Sequence, residues 1–119
     1  MSDARRVLGD AGEAAVARWY EAAGYAVVAR NWRVRDGEID VIARRGETIV
    51  FCEVKTRRSD AFGLPAEAVT ARKQLRLRKL AIQWLSAHRA RGDIVRFDVA
   101  SVRPDGRGAW NVDVLEGAF

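Results

Sequence analysis

Residues 37–56 read GEIDVIARRGETIVFCEVKT and contain two predicted β-strands joined by a short turn. In the first strand, Ile39 and Val41 alternate with acidic residues, which is typical of a strand that buries one face. Residues 48–54 form an almost unbroken apolar run, as expected for a central strand that is covered on both faces. The segment therefore predicts a hairpin whose second strand lies inside a larger sheet.

The flanking sequence predicts two helices and three further strands around this hairpin. The seven elements, in the order α-β-β-β-α-β-β, are predicted over residues 3–23, 25–35, 38–43, 48–54, 65–89, 93–102 and 109–115. Helical spacing predicts that the first helix buries Leu8, Ala11, Ala15, Trp19 and Ala22, and that the second buries Val69, Leu77, Leu80, Ala81 and Trp84. This order indicates an α/β fold with a central mixed sheet flanked by helices.

Length and composition limit the architecture and the classes of function. A chain of 119 residues with 49% apolar residues supports one hydrophobic core, so residues 1–119 are expected to form a single domain. The formal charge of +5 favours anionic partners such as nucleic acid, although ribosome-bound and membrane-surface proteins are equally basic. No apolar run is long enough to span a bilayer, and the first residues lack a secretory signal, so a cytoplasmic protein without membrane insertion is expected.

Single copies of cysteine and histidine exclude several kinds of site. Cys52 is the only cysteine, so neither an internal disulfide nor a thiolate-rich zinc site can form. His88 is the only histidine, which excludes histidine-clustered metal sites. It also excludes Ser/His/Asp hydrolase chemistry unless His88 itself is the base.

Three charged residues in the hairpin form the predicted chemical centre. Glu53 and Lys55 interrupt an apolar strand, and their spacing places both side chains on one face of the sheet. Asp40 shares that face if the residue numbers of hairpin partners sum to 91 or 93, and it faces away if they sum to 92. Two carboxylates at such a separation, with a backbone carbonyl and waters, suit Mg²⁺ or Mn²⁺. The alternative is a purely structural salt bridge between Lys55 and Asp40 or Glu53.

The predicted centre would carry out phosphoryl chemistry. A metal on Asp40 and Glu53 would bind a phosphate oxygen, lower the pKa of a coordinated water and stabilise charge in an in-line displacement at phosphorus. Lys55, one of only three lysines, would orient the attacking water or neutralise the phosphate. Glu13 in the first helix could supply another ligand, with an exposed helical glutamate as the alternative.

Basic residues near this centre are candidates for contacts with nucleic acid. Lys73 lies on the apolar stripe of the second helix and could direct its ammonium toward the site or extend to water. Further phosphate contacts are predicted at Arg57, Arg58, Arg72, Arg76 and Lys79, with a solvated basic face as the alternative. Stacking on bases and packing in the core are the two alternatives for Trp19, Trp32, Trp84 and Trp110.

Several motifs together resemble one family. They are GEIDVIA at residues 37–43, FCEVKTR at residues 51–57 and RFDV at residues 96–99, with Gly12-Glu13 and Asn31 before them. In this order and spacing, the chain resembles the YraN-like family, uncharacterised protein family 0102, within the PD-(D/E)XK nuclease superfamily. The resemblance covers nearly the whole chain and implies a restriction-endonuclease-like core similar to that of archaeal Holliday-junction resolvases.

The resemblance also implies roles for individual residues. Asp40, Glu53 and Lys55 match the superfamily's metal and catalytic positions, and Glu13 matches its helix acid. The leading hypothesis is therefore a Mg²⁺- or Mn²⁺-dependent endonuclease that acts on structured or branched DNA. Resolution of a four-way junction needs two symmetric cuts, so that activity would require a homodimer. The rival hypotheses are a non-catalytic nucleic-acid-binding or adaptor module that keeps the fold and, ranked last because of the charge, a scaffold that binds no nucleic acid.

Overall fold

The computed structural model describes residues 3–57, 69–88 and 94–119, with side chains from Val7 onward. Its elements are α1 (Asp3–Ala22), β1 (Ala26–Val34), β2 (Gly37–Arg45), β3 (Thr48–Thr56), α2 (Ala71–Ala87), β4 (Ile94–Pro104) and β5 (Trp110–Leu115). The predicted order is confirmed, and the predicted strand ends differ from these by at most two residues. Thr70 caps α2 by accepting a hydrogen bond from the Lys73 amide, whereas the predicted start at Pro65 lies outside the described residues.

The five strands form one mixed sheet in the order β1-β2-β3-β4-β5. Neighbouring strands are antiparallel except for β3 and β4, which are parallel. β3 is therefore the central strand, as its apolar sequence predicts. The carboxyl ends of β3 and β4 lie at the same edge of the sheet, and in open α/β sheets ligands commonly bind outside such ends.

One helix covers each face of the sheet. α2 packs on a cluster that contains Phe51 and Leu80, and α1 packs on a cluster that contains Cys52 and Tyr20. We call these the α2 face and the α1 face. Because successive residues of a strand point to opposite faces, Glu53 and Lys55 belong with Phe51 on the α2 face. Neither helix, over its described residues, is both long and apolar enough to cross a membrane.

The buried side of α1 differs from the predicted stripe. Val16 and Tyr20 are fully buried, whereas Ala22 is exposed. Gly12 faces the sheet, where the absence of a side chain leaves room for Thr56 of β3. The prediction from apolar spacing is confirmed at Ala15, which is buried, and is wrong at Ala22, because this close approach and the polar contact of Tyr20 orient the helix more strongly than small alanine methyl groups do.

A fully buried carboxylate joins α1, β4 and the last residues of the chain. Asp98 accepts hydrogen bonds from the Tyr20 hydroxyl (2.6 Å), twice from the Arg96 guanidinium (2.9 and 3.0 Å) and from the Gly117 amide (3.0 Å). Arg96 also donates to the Tyr25 hydroxyl at 3.0 Å. Each oxygen of the carboxylate therefore has two donors, which compensate for the loss of water. This network fixes the position of α1 against the sheet.

Gly12→Ala is expected to destabilise the protein by about 1–3 kcal/mol, because the added methyl group would overlap the Thr56 side chain. Gly9→Ala is the matched control in the same helix, since, among the described residues, no atom outside the helix's own backbone lies within 4 Å of its added methyl group. The control should be neutral or stabilise by up to about 1 kcal/mol through helix propensity. Urea-induced unfolding measures both, and Thr56→Ala should reduce the penalty of Gly12→Ala. Equal stabilities of the two single variants would contradict the close packing.

Candidate functional site

The ladder of paired residues between β2 and β3 ends next to Asp40, which lies one residue from Val41. Its last pair is Val41 with Cys52, and the residue numbers of all partners sum to 93. The register is thus one of the two that place Asp40 on the face of Glu53. Beyond this pair, the Val54 amide donates a hydrogen bond of 2.8 Å to the Asp40 carboxylate. At the end of the ladder, the Asp40 carboxylate therefore accepts the hydrogen bond of the Val54 amide in place of a backbone carbonyl.

Strict alternation along β2 breaks at Asp40. Ile39 packs in the α2-face cluster and Val41 in the α1-face cluster, so the prediction that these two residues share a face was wrong. Asn31 occupies the same level in the neighbouring β1 and has a left-handed φ of 51°. An asparagine adopts this conformation more readily than most residues. Both strands are therefore irregular at the level of Asp40.

Glu53 and Lys55 form an ion pair on the α2 face, with Lys55 Nζ 3.3 Å from Glu53 Oε1. Both side chains are mostly covered, with exposed fractions of 19% for Glu53 and 24% for Lys55. The salt bridge expected under the structural alternative is thus present, although it lies within one strand. The pair leaves room for ligands, because an ammonium has three donors and a carboxylate has two oxygens.

Asp40 is buried and has a strongly perturbed pKa. Burial, followed by the charge of Glu53, raises the pKa of Asp40 to about 8, although the hydrogen bond from the Val54 amide acts in the opposite direction. Two carboxylates that share a cavity and whose charges repel can hold one proton or one cation between them. A raised carboxyl pKa with a specific charged neighbour in a cleft is typical of functional sites.

Cationic side chains of α2 complete the site. A cavity of about 270 Å³ lies between the sheet and α2, and its lining consists of Gly37, Glu38, Asp40, Glu53, Lys73, Arg76 and Leu77. Lys73 contacts Lys55, and this neighbouring ammonium lowers the pKa of Lys73. The cavity therefore has carboxylates on its sheet side and cations on its helix side.

Glu13 of α1 lies beside Asn31, with which its carboxylate forms a hydrogen bond. Burial raises the pKa of Glu13, against the effect of this hydrogen bond. Its Oε2 atom is buried without a hydrogen-bond partner among the described residues. Glu13 also contributes to the raised pKa of Asp40, which places the two carboxylates within electrostatic range. The unpartnered oxygen is one that a cation or a proton could satisfy.

The oxygen donors suit a hard divalent cation. Asp40 and Glu53 supply two carboxylates, and Mg²⁺ in particular usually combines one or two carboxylates with several waters. Within the ranges that the structure describes, no three acidic, histidine or cysteine side chains are grouped closely enough to hold an ion. The predicted set of three carboxylates therefore stays a prediction, and the Asp40 and Glu53 pair is the part that the fold brings together.

The predicted phosphate contacts are distributed unevenly around the cavity. Two of them, Lys73 and Arg76, belong to its lining. Two others are exposed on α2 outside that lining, Arg72 and Lys79. Arg57 directly follows the end of β3, and Arg58 lies outside the described residues.

Three features of the site were missed by sequence reasoning. They are the Val54 amide that binds Asp40, the Asn31 side chain that binds Glu13, and the close approach of α1 at Gly12. Asn31 had a local signal, because asparagine in the middle of a predicted strand is a candidate for a left-handed residue. The other two depend on contacts between distant elements.

The fold and the site together define an α/β protein with a carboxylate pair in a partly cationic cavity at the central strands of a mixed sheet. Comparison with known proteins places it in a family. Residues 12–102 match Uncharacterised protein family UPF0102, and the chain belongs to this family. The YraN-like assignment is thereby confirmed, and the cavity lies wholly within the matched residues.

Individual relatives are similar along nearly their whole length. A UPF0102 protein of Beutenbergia cavernae is 53% identical over 114 residues, which cover 96% of this chain and 97% of that protein. One of Parafrankia sp. is 49% identical over 112 residues, covering 94% and 95%. One of Moorella thermoacetica is 46% identical over 120 residues and covers 100% of both chains.

Asp40→Asn is expected to stabilise the protein at pH 8 in the presence of a chelator. The folded state holds the Asp40 proton up to about pH 8, whereas the unfolded chain releases it near 3.8. The stability that this proton provides is therefore complete below about pH 4 and is lost as the pH rises through 8. Between pH 5 and 8, the native protein should lose on the order of 4 kcal/mol that the variant retains, as measured by urea unfolding.

Asp113→Asn is the matched control for this experiment, because the Asp113 side chain is 69% exposed on β5. It should keep the pH dependence of the native protein. Glu53→Gln should weaken that dependence, since it removes the second cause of the Asp40 shift. Parallel pH profiles of the native protein and Asp40→Asn would show that Asp40 is not the group responsible.

Proposed function

We propose that this protein is a Mg²⁺- or Mn²⁺-dependent endonuclease that hydrolyses phosphodiester bonds in structured or branched DNA. One observation carries the proposal: the Asp40 and Glu53 carboxylates share a cavity with Lys73 and Arg76. A phosphodiester site must accommodate both a divalent cation and an anionic phosphate, and this cavity offers charges of both signs. The resemblance of the surrounding motifs to the PD-(D/E)XK nuclease superfamily supports the same chemistry.

Each charged residue of the site has a role in this proposal. Asp40 and Glu53 would hold the divalent ion, with Glu13 as the candidate third ligand. When bound, such an ion supplies Lewis-acid activation of the phosphate and a water of lowered pKa. The Lys55 ammonium orients the attacking water or neutralises charge that develops on the phosphate oxygens. Lys73 and Arg76 bind the phosphate from the helix side through charge-assisted hydrogen bonds.

A second candidate function is a non-catalytic nucleic-acid-binding or adaptor module. The ion pair between Lys55 and Glu53 favours it, because a lysine that neutralises a carboxylate can serve structure without a metal. The net charge of +5 attracts nucleic acid in either case. The two functions differ in metal-dependent turnover, which is directly measurable.

The native protein is expected to cleave labelled four-way junctions or flaps in Mn²⁺ and to leave them intact in chelator. Glu53→Gln should lower the single-turnover rate by about 100-fold or more, because it removes a charged ligand of the proposed ion. Denaturing gels measure the rate, and matched RNA substrates identify the nucleic acid.

Asp113→Asn is the control for this substitution, since the Asp113 side chain is 69% exposed on β5 and does not line the cavity. Its rate should stay close to the native one. Undiminished cleavage by Glu53→Gln would defeat the assignment. Binding by the native protein without any cleavage in Mn²⁺ would support the adaptor function.

Mn²⁺ is also expected to raise the melting temperature of the native protein. Binding to the folded state alone stabilises it by about 2.7 kcal/mol when the free ion is 100-fold above its dissociation constant. Glu53→Gln should respond much less, whereas Asp113→Asn should respond like the native protein. An identical shift in all three proteins would indicate that Mn²⁺ binds elsewhere.

A further inference from the structure

The four tryptophans of the chain lie in two different environments. Trp84 of α2 is buried in the α2-face cluster, and Trp32 of β1 packs against that cluster. Trp19 of α1 and Trp110 of β5 lie on the opposite face and are partly exposed. These two line one open groove with a volume of about 640 Å³. The structure thus separates this pair from the two tryptophans that serve the α2-face core.

The walls of this groove are aromatic, basic and polar. α1 contributes Arg18 and Trp19, while the turn before β5 and the first residues of β5 contribute Gly108, Trp110 and Asn111. No carboxylate occurs among the described lining residues, so the charge within the groove is positive. Arg18 is exposed, which leaves its guanidinium accessible to a ligand.

This lining matches the chemistry of an unpaired nucleotide. An indole ring offers a flat surface on which any base can stack. The Arg18 guanidinium can neutralise a backbone phosphate, and the Asn111 amide can both donate and accept hydrogen bonds. A purely apolar ligand would make no use of the guanidinium, and a paired duplex would keep its bases stacked on each other.

The groove lies at the same end of the sheet as the candidate site. Val112 of β5 pairs with Val102 of β4, which in turn pairs with Thr56 of β3. Trp110 pairs with Pro104, two residues further along β4, and Lys55 immediately precedes Thr56. Two inter-strand spacings separate β3 from β5, which is roughly 10 Å. The groove opens on the α1 face and the cavity on the α2 face, and both lie near the carboxyl end of β3.

We propose that this groove binds unpaired nucleotides that flank the phosphate held in the cavity. The proposal rests on the proposed function for the identity of the ligand, and it narrows the substrate class. The substrate carries a single-stranded segment beside the scissile bond, as in a flap, a gap or an opened junction arm. Trp19 and Trp110 stack on its bases, and Arg18 contacts its backbone. A blunt duplex has no unpaired bases for the groove and binds through the cavity and the basic surface alone.

Titration with oligothymidylate in chelator tests the groove without requiring cleavage. Tryptophan fluorescence should be quenched on binding, and Trp19→Phe and Trp110→Phe should each remove a large part of that quenching. Trp32→Phe is the matched control and should leave the quenching unchanged. Trp110→Leu should weaken oligothymidylate binding about tenfold, measured by fluorescence anisotropy, and should not affect the binding of a blunt duplex.

Arg18→Gln supplies a second variant that does not alter the core, because Arg18 is an exposed residue of α1. It should reduce the slope of log affinity against log salt concentration by about 1, as expected for the loss of one phosphate contact. This measurement keeps the proposal testable even if Trp110→Leu disturbs folding.

The outcomes separate failure of the groove from failure of the proposed function. Native-like quenching in both phenylalanine variants, with native-like affinity and salt dependence in Arg18→Gln, would overturn the groove proposal. Self-association that depends on Trp110 and excludes oligothymidylate would overturn it too, because the groove would then be an interface between copies. A native protein that binds oligothymidylate through the groove but never cleaves in Mn²⁺ would overturn only the endonuclease function. A native protein that binds neither oligothymidylate nor duplex would overturn both.

Discussion

The hydrogen bond from the Val54 amide to the Asp40 carboxylate is the constraint on which the candidate site depends. The regular ladder between β2 and β3 ends at Val41 and Cys52. Without the Asp40 side chain, the Val54 amide of β3 would lose its acceptor. Because a side chain satisfies it, β2 can depart from β3 without an unsatisfied buried donor. The same bond keeps Asp40 close to Glu53. Burial, and after it the charge of Glu53, raise the pKa of this carboxylate, although the hydrogen bond from Val54 acts in the opposite direction.

Comparison of Asp40 with Asp98 shows how the sheet uses two buried aspartates differently. Asp98 receives four hydrogen bonds, two of them from a guanidinium, so its negative charge is fully compensated inside the protein. Asp40 receives a hydrogen bond from Val54, while its charged neighbour Glu53 has the same sign. The first arrangement stabilises a fold, because it leaves nothing for a ligand to supply. The second has a deficit of positive charge that a proton or a cation removes, which is what a binding site requires.

Local sequence patterns were sufficient for the order of elements, the central position of β3 and the shared face of Glu53 and Lys55, because these follow from apolar runs and from a period of two. They were also sufficient for the family, whose motifs surround the predicted site residues. Alternation failed at Ile39, next to the level at which Asn31 of the neighbouring β1 adopts a left-handed conformation that the strand pattern does not reveal. Helical spacing failed at Ala22 of α1, because the orientation of the helix is set by contacts of Gly12 with Thr56 and of Tyr20 with Asp98, each of which joins residues far apart in sequence. The pairing of Glu13 with Asn31 has the same origin.

α1 is the element that relates the cavity to the tryptophan groove. It is held against the sheet at Gly12 and again at Tyr20, eight residues or roughly 12 Å further along the helix. Two fixed points prevent rotation about the helix axis, so the side chains between them have defined directions. Glu13 projects toward Asn31 of β1, whereas Arg18 and Trp19 project toward β5. One rigid helix therefore sets both the position of an acidic residue near Asp40 and the width of the groove. Any ligand that spans both sites contacts surfaces whose separation the fold has already determined, and this preorganisation reduces the entropy that binding must overcome.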